Sequence, residues 1–255
     1  MSSSTINIKY FVVGEVPKTF IDKVLNLIRN FIEIVNSIEY LEVYFYASAE
    51  DKILFLEEEA FDLGVAVLGD FIAMHEAWRG WSRIHIDFSR CTSINDKYLK
   101  AIVIHEVSHA ILHGSPIHYY VHIAYSQLPW RNQEQVVELI YIATTAIKDI
   151  DVYDFLARLG IVDAIEDYVD FLANQYRDLG CSNVEDVLQL TKLLTPCLFL
   201  DKCRIREIMP KECTETSNKI LELLNNFKTS RTGDLSRDTL QLLEKLYSTV
   251  NLFSG

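Results

Sequence analysis

Three histidines recur at four-residue intervals in the stretch AIVIHEVSHAILHG, which runs from residue 101 to residue 114. Residues four apart lie on one face of an α-helix, so His105 and His109 present two imidazoles to one point. Neutral imidazole nitrogens are good zinc ligands, and Glu106 stands one residue further round the helix, where it can take a proton from zinc-bound water. These residue types at this spacing predict a zinc site that activates water.

A helical wheel places the polar residues of this stretch together. With His105 at zero, Glu106, His109 and His113 fall within a sector of about 100°. His113 could therefore support a ligand or contact a substrate. The opposite side is predicted to be the core face and carries Val103, Ile104, Val107 and Ile111. A stripe of histidines that merely faces water would show the same pattern and is the alternative.

A later helix, predicted over residues 132–158, offers carboxylates for a third ligand. It is apolar almost all the way round between Val136 and Ile147, which indicates a buried helix. A buried carboxylate needs a partner, and a metal ion is one of few that suffice. Glu138 and Asp149 are about 16 Å apart along such a helix, so they cannot bind the same ion. Asp149 is the predicted ligand and Glu138 its alternative; either could instead be a surface acid paired with Lys or Arg.

The remaining histidines give weaker signals. His118 and His122 repeat the four-residue spacing. His118 could supply a ligand or stabilise an oxyanion, although an ordinary surface or core histidine fits the same pattern. His75 and His85 have no supporting spacing and are interpreted as structural.

The elements that must position these residues change in type along the chain. The stretches INIKYFVVG, LEVYFYAS, VAVLGDFIAM and SRIHIDFSR are predicted strands, with helices over PKTFIDKVLNLIRNFIEIVNS and AEDKILFLEEEAFD. From residue 97 onward helices are predicted around 97–113, 117–127, 132–158, 162–178, 183–200, 214–228 and 236–250. Strands with helices followed by helices alone predict an α+β fold with a mostly helical C-terminal half. Residues 1–180 are expected to form the domain that carries the chemistry, and residues 181–255 a helical cap or subdomain.

HEVSH resembles the HExxH signature of the zincin metallopeptidases at every fixed position. The resemblance implies a mixed sheet before the motif helix, zinc bound by His105 and His109, and Glu106 as general base. It also implies a third ligand from a later helix and an extended substrate paired with the strand RIHIDF. Leu112 and Ser115 stand where the metzincin subgroup has Gly and His or Asp, so that subgroup is disfavoured. The strong part of the resemblance covers about ten residues, and the plausible part runs from residue 6 to residue 160.

Composition excludes several classes of protein. The 255 residues carry a formal net charge of −12, which disfavours binding to nucleic-acid phosphates. The sequence has no export signal and no apolar run that could span a membrane. Five cysteines in irregular spacing, without a CxxC pair, predict reduced thiols and a cytoplasmic location. A Cys197–Cys203 or Cys203–Cys213 bridge is expected only if the source is a hyperthermophile.

The function expected from these residues is zinc-dependent hydrolysis of peptide bonds in a peptide or protein substrate. Spacing does not choose the group that would hold the oxyanion; the candidates are His118, Tyr119, Tyr120, Tyr141 and Tyr153. The first alternative is a metal-binding regulatory or interaction protein that keeps a zincin fold without turnover. A metal-free helical protein is the second alternative. The sequence does not indicate an oligomeric state.

Overall fold

One mixed sheet holds the strands that precede the HEVSH helix. A computed structural model of the chain describes residues 6–35, 38–63, 65, 71–123, 133–176 and 180–251. In it β1 pairs with β2 and β2 with β4 in parallel, while β3 and β4 are antiparallel, in the order β1-β2-β4-β3. The strands are β1 (Asn7–Val13), β2 (Tyr40–Tyr46), β3 (Ala73–Glu76) and β4 (Arg83–Asp87). Most of the stretch VAVLGDFIAM lies outside the described residues or in the turn before β3.

The strand RIHIDF is not at an edge of this sheet. Its residues Arg83–Asp87 form β4, which is buried along its whole length and hydrogen-bonded to β2 on one side and β3 on the other. The expectation that it pairs with a substrate is therefore wrong, because both of its backbone edges are already used. The short antiparallel strand β3 takes the outer position beside it.

The two faces of the sheet differ in chemistry because side chains alternate along each strand. One face carries Phe45, Ile84 and Ile86 against the helices α1 (Lys18–Val35) and α4 (Asp96–Leu112), which also pack on each other. The other face lies under α2 (Ala49–Leu63) and buries polar side chains: Glu42, Arg83, His85 and Asp87. A short helix α3 (Phe88–Cys91) joins β4 to the segment before α4.

Regular structure in the described residues after α4 is helical, as the sequence predicts. The helices are α5 (Gln133–Arg158), α6 (Val162–Gln175), α7 (Val184–Leu194), α8 (Arg204–Glu207), α9 (Thr214–Ser230) and α10 (Leu235–Asn251). Contacts group the chain into two compact units, Met1–Tyr119 and Tyr120–Gly255. In the second unit α5 packs against α6, α7 and α10. The predicted division of roles between residues 1–180 and 181–255 stays a prediction.

Two predicted helices are shorter than expected. The one predicted over residues 117–127 is a single 3₁₀ turn at Pro116–His118, and residues 124–127 lie outside the described part. The helix predicted over residues 183–200 ends at Leu194 and continues as a 3₁₀ segment, Thr195–Phe199. Pro196 explains this end, because proline has no N–H to continue an α-helical ladder.

Four of the five cysteines are bonded in pairs. Disulfides join Cys181 to Cys213 and Cys197 to Cys203, while Cys91 is a buried free thiol. The expectation of reduced thiols is wrong in this structure. Packing in the second unit brings the paired Cα atoms to 5.6 and 5.2 Å, a separation that irregular sequence spacing cannot reveal. Within the described residues, no helix combines the length and apolar character needed to cross a bilayer.

Candidate metal centre

Helix α4 aims two imidazole nitrogens at the same point. It begins after Asn95, whose side chain accepts a hydrogen bond from the backbone N–H of Tyr98. Four residues apart on this helix, His105 Nε2 and His109 Nε2 are 3.1 Å from each other. Two nitrogens bound to one tetrahedral zinc at about 2.0–2.1 Å would be about 3.3 Å apart. The observed separation is therefore close to the one that a shared ion requires.

Asp149 of α5 completes a three-residue group with these histidines. One ligand atom from each of His105, His109 and Asp149 lies within 4.8 Å of the other two. The Asp149 carboxylate is buried, as a ligand to an enclosed ion should be. Among the described residues, Glu138 belongs to no such group. This group could hold a metal ion, and the identity of the third ligand stays a prediction.

The polar side of α4 does not face water. His105 is 4% exposed and Glu106 is 7% exposed, and His113 is also buried. The alternative of a water-facing stripe is therefore wrong. Glu106 lies beside the metal-ligand candidates on the helix, where the sequence places it, and is sheltered from bulk solvent.

His113 contacts His109 at the end of the helix. It is the C-cap residue of α4, and its Nδ1 lies 3.1 Å from His109 Nδ1. If His109 offers the Nε2 lone pair to a metal, its proton is on Nδ1, and His113 Nδ1 is then the acceptor. Such contacts fix the tautomer and the ring orientation of a ligating histidine. The supporting role predicted for His113 stays a prediction.

A histidine and tyrosine pair that the sequence does not reveal lies beside this group. The His75 ring, on β3, lies parallel to the His109 ring with centroids 6.3 Å apart. The Tyr119 hydroxyl oxygen lies 2.8 Å from His75 Nδ1. No spacing signal could reveal His75, because it reaches α4 only through the pairing of β3 with β4. The interpretation of His75 as a structural residue is compatible with its burial and its contact with Tyr119.

The candidates His118, His122 and Tyr153 are not members of the three-residue group. The His118 ring contacts the His113 ring at 5.1 Å, so it is near the supporting histidine and outside the three-residue group. His122 is exposed, and its backbone N–H donates to the Ser236 hydroxyl. Tyr153 is buried and contacts the rings of Tyr168 and Phe199.

A second polar cluster lies on the opposite face of the sheet, under α2. Arg83 forms ion pairs with Glu59 and Glu76, and these acids raise the pKa of Arg83 against the effect of burial. Burial lowers the pKa of His85, although Glu76 acts in the other direction. The neutral form of His85 can make both of its hydrogen bonds. The Tyr46 hydroxyl then donates to Nδ1 over 2.8 Å, and Nε2–H donates to Glu76 over 3.2 Å. This cluster is fully internal and positions β4 and α2.

Comparison of the chain with known protein families, curated protein sequences and solved structures finds no match. The function must therefore be argued from the site itself.

Proposed function

We propose that this protein is a zinc-dependent metallopeptidase of the zincin type. The observation that carries the proposal is the His105–His109–Asp149 group, because two of its members belong to an HExxH sequence on one helix. Two imidazole nitrogens and one carboxylate oxygen are a donor set that zinc accepts readily. The burial of His105 and Asp149 fits a metal site, since buried polar groups need a strong partner.

Each residue of the site has a separate task in this proposal. His105, His109 and Asp149 would hold zinc, which would polarise the substrate carbonyl and lower the pKa of water. Glu106 would accept the proton of the attacking water and pass it to the leaving amine. His113 would keep the His109 ring in its ligating orientation. Zinc is the proposed cofactor, and peptides or proteins are the proposed substrates.

The position of β3 supports an extended peptide as the substrate class. Among the described strands, β3 is the outer strand on the side of the sheet that packs against α4. An added peptide strand gains main-chain hydrogen bonds at such an edge. In this proposal β3 takes the role that the sequence analysis gave to RIHIDF.

The location of the protein is the part of the proposal that needs revision. The sequence predicts the cytoplasm, where cellular reductants keep most thiols reduced. The disulfides Cys181–Cys213 and Cys197–Cys203 favour an oxidising compartment instead. A cytoplasmic location would require a source that keeps disulfides in its cytosol, as hyperthermophiles do.

Elemental analysis of untagged protein, purified without chelators, tests the metal site. We expect about one zinc per chain in the wild type, loss of zinc in His109→Ala and Asp149→Ala, and retention in the matched acid variant Glu138→Gln. Absence of metal in wild-type protein, even after incubation with zinc, would refute the site.

Peptide cleavage tests the chemistry separately. Glu106→Gln should retain zinc and lose about 10²–10⁴-fold in the rate of peptide hydrolysis, because the shape of the side chain is kept and the base is removed. A wild-type protein that binds zinc and cleaves no member of a varied peptide library would favour the regulatory alternative over the peptidase.

A further inference from the structure

Helix α2 turns two charged side chains, Lys52 and Glu59, inward. Lys52 is buried, with its ammonium 3.7 Å from the Asp87 carboxylate. Glu59 is buried seven residues later and pairs with both Arg83 and Arg79. The inner side of α2 is therefore fixed to the sheet by ion pairs as well as by apolar packing.

The outer side of α2 carries the apolar residues that this orientation leaves exposed. Leu54 is 60% exposed and Phe61 is 87% exposed. They are seven residues apart, so they lie on one line about 10 Å apart along the helix. Glu50, Glu57 and Glu58 are also exposed and fall within about 100° of that line. We call these five residues the α2 outer stripe.

The exposure of Leu54 and Phe61 is enforced by the buried ion pairs. Rotating α2 to bury the two apolar residues would withdraw Glu59 from Arg83 and Lys52 from Asp87. Arg83 and Asp87 would remain buried without these partners, and removal of one member of a buried ion pair is strongly destabilising. Burial of two apolar side chains does not offset that loss. The ion pairs of Lys52 and Glu59 therefore favour the orientation of α2 in which Leu54 and Phe61 are exposed.

We infer that the α2 outer stripe is the docking surface for a basic amphipathic helix of a partner protein. Bulky apolar residues two turns apart on the partner would pack on Leu54 and Phe61. Lysine or arginine residues beside them would pair with Glu50, Glu57 and Glu58, as flanking charges do in paired helices. The stripe itself contains no basic residue, so its charge selects against a second copy of the same stripe and against an anionic membrane surface.

This surface is independent of the proposed metal site. Within the first unit, α2 covers the face of the sheet opposite to the one that α4 contacts. Variants of the α2 outer stripe should therefore leave zinc content unchanged, so the docking proposal and the peptidase proposal can fail separately.

Fluorescence anisotropy with a labelled 18-residue helical peptide of leucine and lysine tests the inference. The wild type should bind the peptide saturably in a 1:1 complex. The double variant Leu54→Ser, Phe61→Ser should bind about tenfold more weakly, because both apolar anchors are lost. The variant Glu57→Gln, Glu58→Gln should bind several-fold more weakly and show a smaller dependence on salt.

Matched control variants distinguish binding to the α2 outer stripe from general attraction to the negative charge of the chain. Ile34→Ser removes an apolar residue that is 67% exposed on α1, and Glu15→Gln, Glu33→Gln removes two exposed acids elsewhere. Both should bind within about twofold of the wild type. All the substituted residues are exposed, so circular dichroism and thermal unfolding should show unchanged folding.

Three results would overturn the inference. One is equal weakening by the control variants, which would indicate attraction to the net charge alone. Another is binding of phosphatidylserine vesicles that Leu54→Ser, Phe61→Ser abolishes, which would assign the stripe to a membrane. A third is a concentration-dependent dimer that the same double variant dissociates, which would assign it to a second copy of the chain.

Discussion

His113 shows how a residue outside the three-residue group can control that group. Its Nδ1 lies 3.1 Å from His109 Nδ1. When His109 carries its proton on Nδ1, as it must to bind a metal through Nε2, His113 Nδ1 can accept that proton's hydrogen bond. The sequence suggested this role through the third repeat of the four-residue spacing. The histidine ladder is thus predictable from local geometry, because all its members belong to one helix and its C-cap.

Replacing His113 tests this role. We expect His113→Ala to weaken zinc affinity by about 10–100-fold, since the orientation of His109 is no longer fixed. Competition with a chromophoric chelator measures the affinity. His122→Ala, at an exposed position, is the control. Equal affinities in wild type and His113→Ala would show that the contact with His109 does not support metal binding.

The buried His85 makes the free energy of unfolding depend on pH. Its pKa is lowered in the folded protein, while that of an unfolded histidine is about 6.5. As the pH falls below about 6.5, the unfolded chain takes up a proton that folded His85 does not, so the free energy of unfolding decreases. The stabilisation due to neutral His85 is fully present above the pKa of the unfolded histidine. It is lost as the pH falls toward the lower pKa of His85 in the folded protein.

Urea unfolding of chelator-treated protein between pH 7 and pH 5 measures the effect. The decrease due to His85 should have a slope of up to about 1.4 kcal/mol per pH unit. His85→Gln should reduce the overall slope, and His122→Gln should leave it unchanged. An unaltered slope in His85→Gln would mean that the proton uptake arises at other histidines.

Gly114 lets the end of α4 approach Ser82, the residue before β4. The Ser82 hydroxyl donates to the Ala110 carbonyl over 2.9 Å at this place. A Cβ added at Gly114 would lie 2.6 Å from that carbonyl oxygen and would also collide with the Ser82 hydroxyl. The glycine is therefore required by the close approach of two elements.

Gly114→Ala should lower the free energy of unfolding by about 1–3 kcal/mol, the usual cost of overpacking. Urea unfolding measures this change, with Ser115→Ala as the neighbouring control because Ser115 is exposed and makes no capping hydrogen bond. A change below 0.5 kcal/mol, within the range of ordinary surface substitutions, would show that α4 shifts freely relative to Ser82.

Elements were predictable where a local pattern determines them. The alternation in RIHIDF predicts a strand, and the spacing around HEVSH predicts a helix with one polar side. The order of strands was not predictable in the same way, because it depends on which distant strands pair. The error about β4 and the unforeseen position of His75 beside His109 both follow from that long-range pairing. The orientation of α2 was hidden for a similar reason: Glu59 and Lys52 find their partners on β4.

The two disulfides predict the number of reactive thiols in the whole chain. Denatured, unreduced protein should show one thiol per chain and reduced protein five, since two bridges use four of the five cysteines. In the native state Cys91 should react slowly at neutral pH, because burial raises the pKa of its thiol to about 12. Titration with a thiol-specific chromogenic reagent measures both. Five thiols without reductant would contradict the bridges and restore the expectation of a reducing compartment.

The Cys181–Cys213 bridge also changes what it means to cut this polypeptide. It closes a ring that contains α7, the 3₁₀ segment after it and α8. A protease that hydrolyses one peptide bond inside the ring produces two polypeptides that stay joined through sulfur. Such a nicked protein would migrate as one species in a denaturing gel and separate into two only after reduction. The chain is therefore linear in sequence but cyclic in covalent connectivity over this segment, and a single break there does not release a fragment.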